Sequence, residues 1–426
     1  MDVLVVGGGG REHAIIRALK QSPEVGRLYA LPGNGGIAQD AVCVDIPATD
    51  IAGIVRFARE NKVGFAVVAP DDPLVLGCVD ALEAIGVPCF GPRANAAILE
   101  GSKAFAKDLM RKYGIPTAAS ETFDELPSAA QYIARAPLPM VIKADGLALG
   151  KGVVICQTRE EALSAATAML EGGAFGASGK RIVIEEFLEG VEVTVLAFAD
   201  GETVVPMVSA MDHKRAGEGD TGLNTGGMGA IAPNPYYTDA IAARCMDEIY
   251  LPTVRAMKRE GREFRGCIYF GLMLTADGPK VIEYNCRFGD PEAQAVLPLM
   301  QTDLFAAMRA TAEGQLAAED VRFYKNRHAC CVVVASKGYP EQYDCGYALN
   351  LPEVRAGEYA FVAGARQGAD GLISAGGRVV GMTAVDARLE TAIARAYALA
   401  ARVGLANKYI RRDIGARAME ALSYHG

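Results

Sequence analysis

Lys280–Glu292 reads KVIEYNCRFGDPE and follows a hairpin signal at Ala276-Asp277-Gly278, so Lys280–Asn285 is expected as a returning strand. Side chains alternate across a strand, which puts Glu283, Asn285 and, if the strand continues, Arg287 on one face. Two oxygen-bearing side chains one pleat apart, followed by a guanidinium, suit a magnesium ion and an anionic substrate. The same pattern suits a half-buried strand with one polar face, so the rest of the chain has to decide.

With 426 residues the chain exceeds one ordinary core, and two to four domains or subdomains are expected. Its 51% hydrophobic and 22% charged residues are those of a soluble globular protein. A net charge of −8 speaks against a general nucleic-acid binder. Ten cysteines form no CxxC pair, and with only four histidines no zinc cluster is expected. Cys43, Cys156, Cys267, Cys330 and Cys331 lie in apolar runs and read as small core residues in a reducing compartment. Met1 leads directly into a strand pattern and no apolar run approaches membrane-spanning length, so a cytosolic protein is expected.

The first hundred residues alternate apolar runs (Val3–Val6, Leu28–Leu31, Phe65–Ala69, Val87–Phe90) with helical patterns at Glu12–Lys20, Ile51–Glu60 and Leu74–Ile85. That alternation predicts βαβ units and a parallel sheet with ligands at the carboxyl ends of its strands. The first turn, Gly7-Gly8-Gly9-Gly10-Arg11, offers bare amides at a helix N-terminus and a fixed charge, which suit a phosphate. It is not a dinucleotide fingerprint. The third glycine of that motif would fall at Glu12, and the second strand ends Ala30-Leu31-Pro32 without an acid for a ribose.

From Gly101 the pattern changes. Ser102 can cap a helix Lys103–Tyr113 that Gly114 and Pro116 stop. Strand Met140–Lys143 meets a glycine-rich loop, Asp145–Gly152, which departs from the P-loop because Gly152 follows Lys151. Two lysines bracketing such a loop can hold triphosphate oxygens. Strand Val153–Cys156, helix Glu160–Leu170 and strand Ile182–Glu186 follow. Ser209–Ala230 reads as a long loop carrying Asp212-His213-Lys214-Arg215 and NTGGMG at Asn224–Gly229, and loops of that length are commonly functional. A helix over Thr238–Arg259, a strand Gly266–Thr275 and a strand-rich third domain from about Asn326, closing over the substrate, complete the expectation.

Eight runs resemble, in order, the glycinamide ribonucleotide synthetases (phosphoribosylamine–glycine ligases), a family of the ATP-grasp superfamily. They are GGGGREHA (Gly7–Ala14), PGNGG (Pro32–Gly36), EGSKAFAK (Glu100–Lys107), IKADGLALGKGV (Ile142–Val153), IEEFLEGVE (Ile184–Glu192), DHKR (Asp212–Arg215), NTGGMG and EYNCRFGDPE (Glu283–Glu292). The resemblance implies an α/β chain with an N-terminal parallel-sheet, Rossmann-like domain over 1–101 and an α+β ATP-grasp domain over 102–325. A lid subdomain would span about 118–190, and a C-terminal mixed-sheet domain 326–426. The implied reaction activates glycine with ATP and joins it to 5-phospho-ribosylamine in purine synthesis.

It further implies that Lys103, Lys107, Lys143 and Lys151 neutralise the triphosphate. Glu185, with Glu186, Phe187 and Leu188, would read the adenine; Glu192 would hold the ribose; Arg215 and Asn224 would touch the nucleotide. Glu283 and Asn285 would ligate magnesium or manganese, and Arg287 would stabilise charge on the transferring groups. Asp290 and Asp212 would hold the ammonium of glycine or the attacking amine, while Gly8, Gly9, Gly10, Arg11 and Asn34 would seat the second substrate. Only small-molecule partners are expected, without nucleic acid or membrane, on a monomer or weak dimer. The chain departs from the family pattern at Asp71, where a glutamate is usual, and at Leu223, where a proline is usual. A sister ATP-grasp ligase would lack DHKR and RFGDPE, and a non-catalytic nucleotide sensor would have lost Lys143, Glu283 or Asn285.

Overall fold

Five short parallel strands, in the order Val42–Cys43, Leu28–Pro32, Val3–Gly7, Phe65–Val68 and Cys89–Phe90, open the computed structural model, which describes residues 1–147, 152–173 and 176–424. Apart from the edge strand Val42–Cys43, their side chains are almost wholly buried because helices cover both faces, as the unbroken apolar runs demand. The helix expected over Leu74–Ile85 is two, Asp71–Val75 and Cys78–Glu83. Gly77 between them has φ +82, a conformation that ends the first helix and that glycine adopts without strain.

Helix Lys103–Tyr113 has the expected bounds, with Ser102 Oγ accepting from the Phe105 amide and Gly114 in the left-handed region (φ +67). Next comes a small antiparallel sheet, Ser120–Phe123, Ile182–Glu186, Met140–Ala144 and Val153–Cys156, backed by helices Leu126–Ile133 and Arg159–Leu170 around a core of their own. A second antiparallel sheet runs Val204–Pro206, Val191–Asp200, Arg265–Thr275 and Gly278–Asn285. The helical stretch 239–259 is interrupted by a wide π-turn at Met246–Tyr250. Pro252 follows that turn and cannot donate a backbone hydrogen bond to the preceding turn.

Ser209–Ala230 corrects the reading of a long loop. It contains strand Met211–Asp212, the hairpin Arg215–Gly217/Thr221–Asn224, and the start of strand Gly229–Ala232. Gly229–Ala232 pairs onto His328–Ser336, and Met211–Asp212 in turn onto Gly229–Ala232, so both extend the C-terminal sheet, which continues to Arg378–Asp386 and Glu358–Val362. Glycines and charges dominate this stretch, so no period in the sequence reveals the strands; strand His328–Ser336 supplies the hydrogen bonds of Gly229–Ala232. Helix Leu389–Arg402 packs across that sheet through Leu389, Ala392, Ala396 and Leu399.

Candidate active site

The Lys280–Asn285 segment lies in strand Gly278–Asn285, at the edge of its sheet. Glu283 and Asn285 share one face by alternation, whereas Val281, set off from Glu283 by a register shift in the strand pairing, and Tyr284 are buried. Beyond the strand the chain turns through Cys286–Asp290. The Cys286 amide donates to Glu100 Oε2 at 2.7 Å, and Arg287 Nη2 lies 3.3 Å from Glu100 Oε1. Glu100 therefore fixes the turn that aims Arg287; burial still raises its carboxyl above the usual range. Arg287 Nη2 also donates to Asn285 Oδ1 at 3.4 Å, while its Nε is buried without a partner among the described residues.

Three buried groups join the small sheet to this strand. Lys107 Nζ and Lys143 Nζ each lie 3.0 Å from one oxygen of Glu185, and all three side chains are at most 4% exposed. Lys143 also donates to the Ile282 carbonyl, and Lys107 to Thr117 Oγ1, whose own hydroxyl donates to the Val281 carbonyl. Burial pulls the Lys107 ammonium down to about 8 against the opposing pull of Glu185. Lys103, lowered mainly by burial, donates to the Gly146 carbonyl at the mouth of the glycine loop. Asp145 anchors that loop by accepting from Ser102 Oγ, the Ala104 amide and Arg181. Lys151, expected on the loop, lies outside the described residues.

Glu186, Phe187 and Leu188 form the connection from strand Ile182–Glu186 to strand Val191–Asp200, with Glu186 accepting from the Ala119 amide. On the facing side Lys214 Nζ lies 3.1 Å from Glu192 Oε2 and 3.7 Å from Glu283 Oε1. Burial opposes its charge, but Glu192 and Glu283 more than offset this and raise it well above the ordinary lysine value. In turn, burial pushes Glu283 up, and Lys214, Lys143, Lys103 and Arg287 together bring it below the usual range. An oxygen pair that already draws cations to itself fits a hard divalent ion, with phosphates and water completing its shell. Among the described residues no group of three or more His, Cys, Asp or Glu side chains is arranged to hold a metal. Arg215 and Asn224 face each other across their hairpin, whose shape the buried Arg411 holds through the Arg215 carbonyl and Asp220.

The far end of the Lys280–Glu292 stretch meets the first turn of the chain. The Arg11 amide donates to Asp290 Oδ2 at 3.3 Å and Arg11 Nη1 to the Phe288 carbonyl at 3.0 Å. Glu12 Oε2 accepts from the Gly9 amide at 2.5 Å. This narrows the anion site expected there: the amides of Gly9 and Arg11 already serve carboxylates of the chain itself, and those of Gly8 and Gly10 remain. Asn34 likewise spends its amide on the Gly8 and Val362 carbonyls and on the Gly36 and Ile37 amides, so it shapes the turn. Burial pushes Asp290 up, yet Arg378 and Arg11 hold it below the usual carboxylate range. Asp212 behaves oppositely, since burial and the charge of Glu292 hold it well above that range. His213, next to Asp212 in sequence, is structural. Its Nδ1 meets the Gly229 carbonyl, its Nε2 accepts from the Gly415 amide, and burial pushes it down to about 4, a neutral ring.

Sequence reasoning passed over Glu100, Asp145, Lys214, Glu292 and Arg378. The first four sit inside the quoted runs or beside them, so a signal existed; Arg378 has none, because only the folded chain brings it to Asp290.

A small antiparallel sheet whose Glu185 meets two buried lysines, a glutamate–asparagine pair on the adjoining strand and an N-terminal parallel sheet together define an ATP-grasp ligase. The chain matches the phosphoribosylglycinamide synthetase N domain over residues 1–100, the ATP-grasp (A) domain over 101–293 and the C domain over 329–417. It is 46% identical over 426 residues to the phosphoribosylamine–glycine ligase of Yersinia pestis, covering 98% of this chain and 99% of that protein. The Listeria monocytogenes ligase is 46% identical over 421 residues, covering 98% and 100%. The crystal structure of phosphoribosylamine–glycine ligase from Thermotoga maritima superposes with a TM-score of 0.87 at 32% identity, covering 97% of this chain and 100% of that one. The biotin carboxylase domain of Hydrogenobacter thermophilus 2-oxoglutarate carboxylase shares the fold, with a TM-score of 0.75 at 16% identity over 99% and 98%. The chain belongs to the phosphoribosylamine–glycine ligase family.

Proposed function

We propose that the chain phosphorylates the carboxylate of glycine with ATP, giving glycyl phosphate and ADP, and that the amine of 5-phospho-ribosylamine then displaces phosphate to form glycinamide ribonucleotide. As a phosphoribosylamine–glycine ligase it uses ATP, glycine and phosphoribosylamine in purine biosynthesis. The observation that carries the residue-level reading is the convergence of Glu283, Asn285 and Arg287 with Lys103, Lys143 and Lys214 on one strand end.

In this reading Lys103, Lys107, Lys143 and Lys151 carry the triphosphate, and Glu185 balances two of them. The backbone of Glu186–Leu188 meets the adenine edge, Glu192 the ribose, and Arg215 and Asn224 the nucleotide from the facing hairpin. Glu283 and Asn285 would hold a divalent cation, magnesium or manganese, which would neutralise charge on phosphoryl oxygens. Arg287 supplies a guanidinium where acyl and phosphoryl oxygens gain charge. Asp290, kept ionised, suits the ammonium of glycine; Asp212, held above the usual range, suits the neutral attacking amine. Gly8, Gly10 and Arg11 take the ribose phosphate, with Gly9 and Asn34 holding their turn. No covalent protein nucleophile is required, because positioning and charge carry the chemistry. The working units are 1–101, 102–325 with a lid near 118–190, and 326–426, the last recruiting strands Met211–Asp212 and Gly229–Ala232 into its sheet. A cytosolic setting suits ten free cysteines.

An ADP-release assay with glycine and freshly made phosphoribosylamine, each omitted in turn, tests the reaction. Sustained release is expected only with both, and sustained release on bicarbonate without glycine would reassign the carboxylate. Arg11→Ala should raise the KM for phosphoribosylamine about tenfold, the loss expected for one charged phosphate contact, and leave that for ATP nearly unchanged. The reverse order would move the phosphate site elsewhere.

A further inference from the structure

We propose that Arg378, a residue of the C-terminal sheet, is a positioning residue for the glycine half of the reaction, locking the Gly226–Gly227 loop against Asp290 and orienting that carboxylate. This rests on the reading of Asp290 as the partner of glycine's ammonium.

Arg378 opens strand Arg378–Asp386, far in sequence from every motif that marks the site. Its Nη1 donates to the Asp290 carbonyl at 2.6 Å and to the carbonyls of Gly226 and Gly227 at 2.7 and 3.3 Å. The same nitrogen lies 3.3 Å from Asp290 Oδ1. One guanidinium nitrogen thus ties together two loops far apart in the chain. Both oxygens of Asp290 have further donors: Gln294 Nε2 donates to Oδ1 at 2.8 Å, and the Arg11 amide to Oδ2 at 3.3 Å. The carboxylate is therefore oriented from three elements, of which Arg378 supplies the charge from the C-terminal sheet.

The loop on the other side is built for this contact. A Cβ on Gly226 would come within 2.8 Å of the Arg378 guanidinium carbon. A Cβ on Gly227, whose φ is +111, would lie 2.4 Å from Pro291 Cδ and 2.6 Å from Asp212 Oδ1. Tyr339, also from the C-terminal region, accepts from the Gly226 amide at 3.2 Å, so the loop is gripped at both its amide and its carbonyl. Two bare residues stand where the arginine, the proline and Asp212 must come together. A guanidinium that merely stabilised the third sheet would not need two loops of the site closed around it.

The test uses the full-length enzyme with Arg378→Met and Arg378→Lys, each alone and combined with Asp290→Asn. It reads kcat and the KM for glycine, phosphoribosylamine and ATP, with thermal melting as a check on folding. Arg378→Met should raise the KM for glycine about tenfold or more while the KM for ATP stays within about twofold. In the Asp290→Asn background the same change should add less than about twofold, because both act through one carboxylate. Arg378→Lys retains the charge but not the fork, and should show the same glycine-selective defect in smaller degree; it decides the matter if Arg378→Met fails to fold. Equal defects for ATP and glycine, or fully multiplicative effects in the double variant, would overturn the proposal. A glycine defect in Asp290→Asn without one in either Arg378 variant overturns it alone. An unchanged glycine KM in Asp290→Asn overturns the reading beneath it.

Discussion

Glu283→Ala lowers turnover at least about a hundredfold at saturating ATP and glycine, since a cation clamp on phosphoryl oxygens contributes several kcal/mol to the transition state. The expectation follows from the strand end. Glu283 is drawn below the usual carboxylate range by four cationic side chains, although burial pushes it the other way. Removing it leaves Asn285 as the one oxygen-bearing side chain of the pair and releases Lys214, which now lies 3.7 Å from Glu283 Oε1. Steady-state ADP release across a magnesium titration measures the effect. Near-normal turnover at saturating magnesium would remove Glu283 from the metal role. Lys214→Met offers a contrast: it removes a cation next to Glu192 and Glu283 without removing an oxygen ligand, so its loss should be smaller.

Glu185→Leu is expected to destabilise the fold by about 3–5 kcal/mol, the usual consequence of leaving buried charges without their partner. Two ammonium groups, both nearly inaccessible to water, depend on this single carboxylate at 3.0 Å each. A shift of the denaturant midpoint at unchanged slope measures the effect. Replacing all three charges together (Lys107→Met, Lys143→Met and Glu185→Leu) should recover most of that stability, because apolar side chains of similar volume replace a buried ionic cluster at little cost. The triple variant should nonetheless be inactive, having lost two of the lysines proposed to carry the triphosphate. A Glu185→Leu protein within about 1 kcal/mol of the parent would mean that water reaches the lysines and that the bridge is not a structural joint. Stability and turnover thus separate the structural duty of the cluster, whose charges balance one another, from the phosphate-binding duty proposed for its two lysines.

Much of the fold is written in local sequence. The glycine turn at Gly7–Gly10, the capped helix Lys103–Tyr113 and the hairpin into Gly278–Asn285 follow from short-range rules: apolar period, a serine cap, a glycine in the left-handed region. The pairing of Glu283 with Asn285 on one face needs nothing beyond the alternation of a strand. Local rules also exclude the usual nucleotide folds, through Glu12 in the first glycine turn and Gly152 after Lys151.

What they missed has one physical origin. Ser209–Ala230 read as a loop because the stretch is rich in glycine and charge; Gly229–Ala232 takes its hydrogen bonds from the distant strand His328–Ser336, Met211–Asp212 pairs in turn on Gly229–Ala232, and the hairpin Arg215–Gly217/Thr221–Asn224 pairs with itself. The pairing of Glu185 with Lys107 and Lys143 was also out of reach, because it depends on helix and sheet meeting in space. The Gly9 and Arg11 amides read as free donors, and only the folded chain brings the carboxylates of Glu12 and Asp290 to them. The sequence by itself determined which side chains carry charge, oxygen and bare backbone, and on which local elements they stand. The tertiary structure alone decided which of those charges neutralise one another and which remain for substrate. That sharing of partners is a matter of distances between elements far apart in the chain, on which period, cap and turn chemistry have no hold.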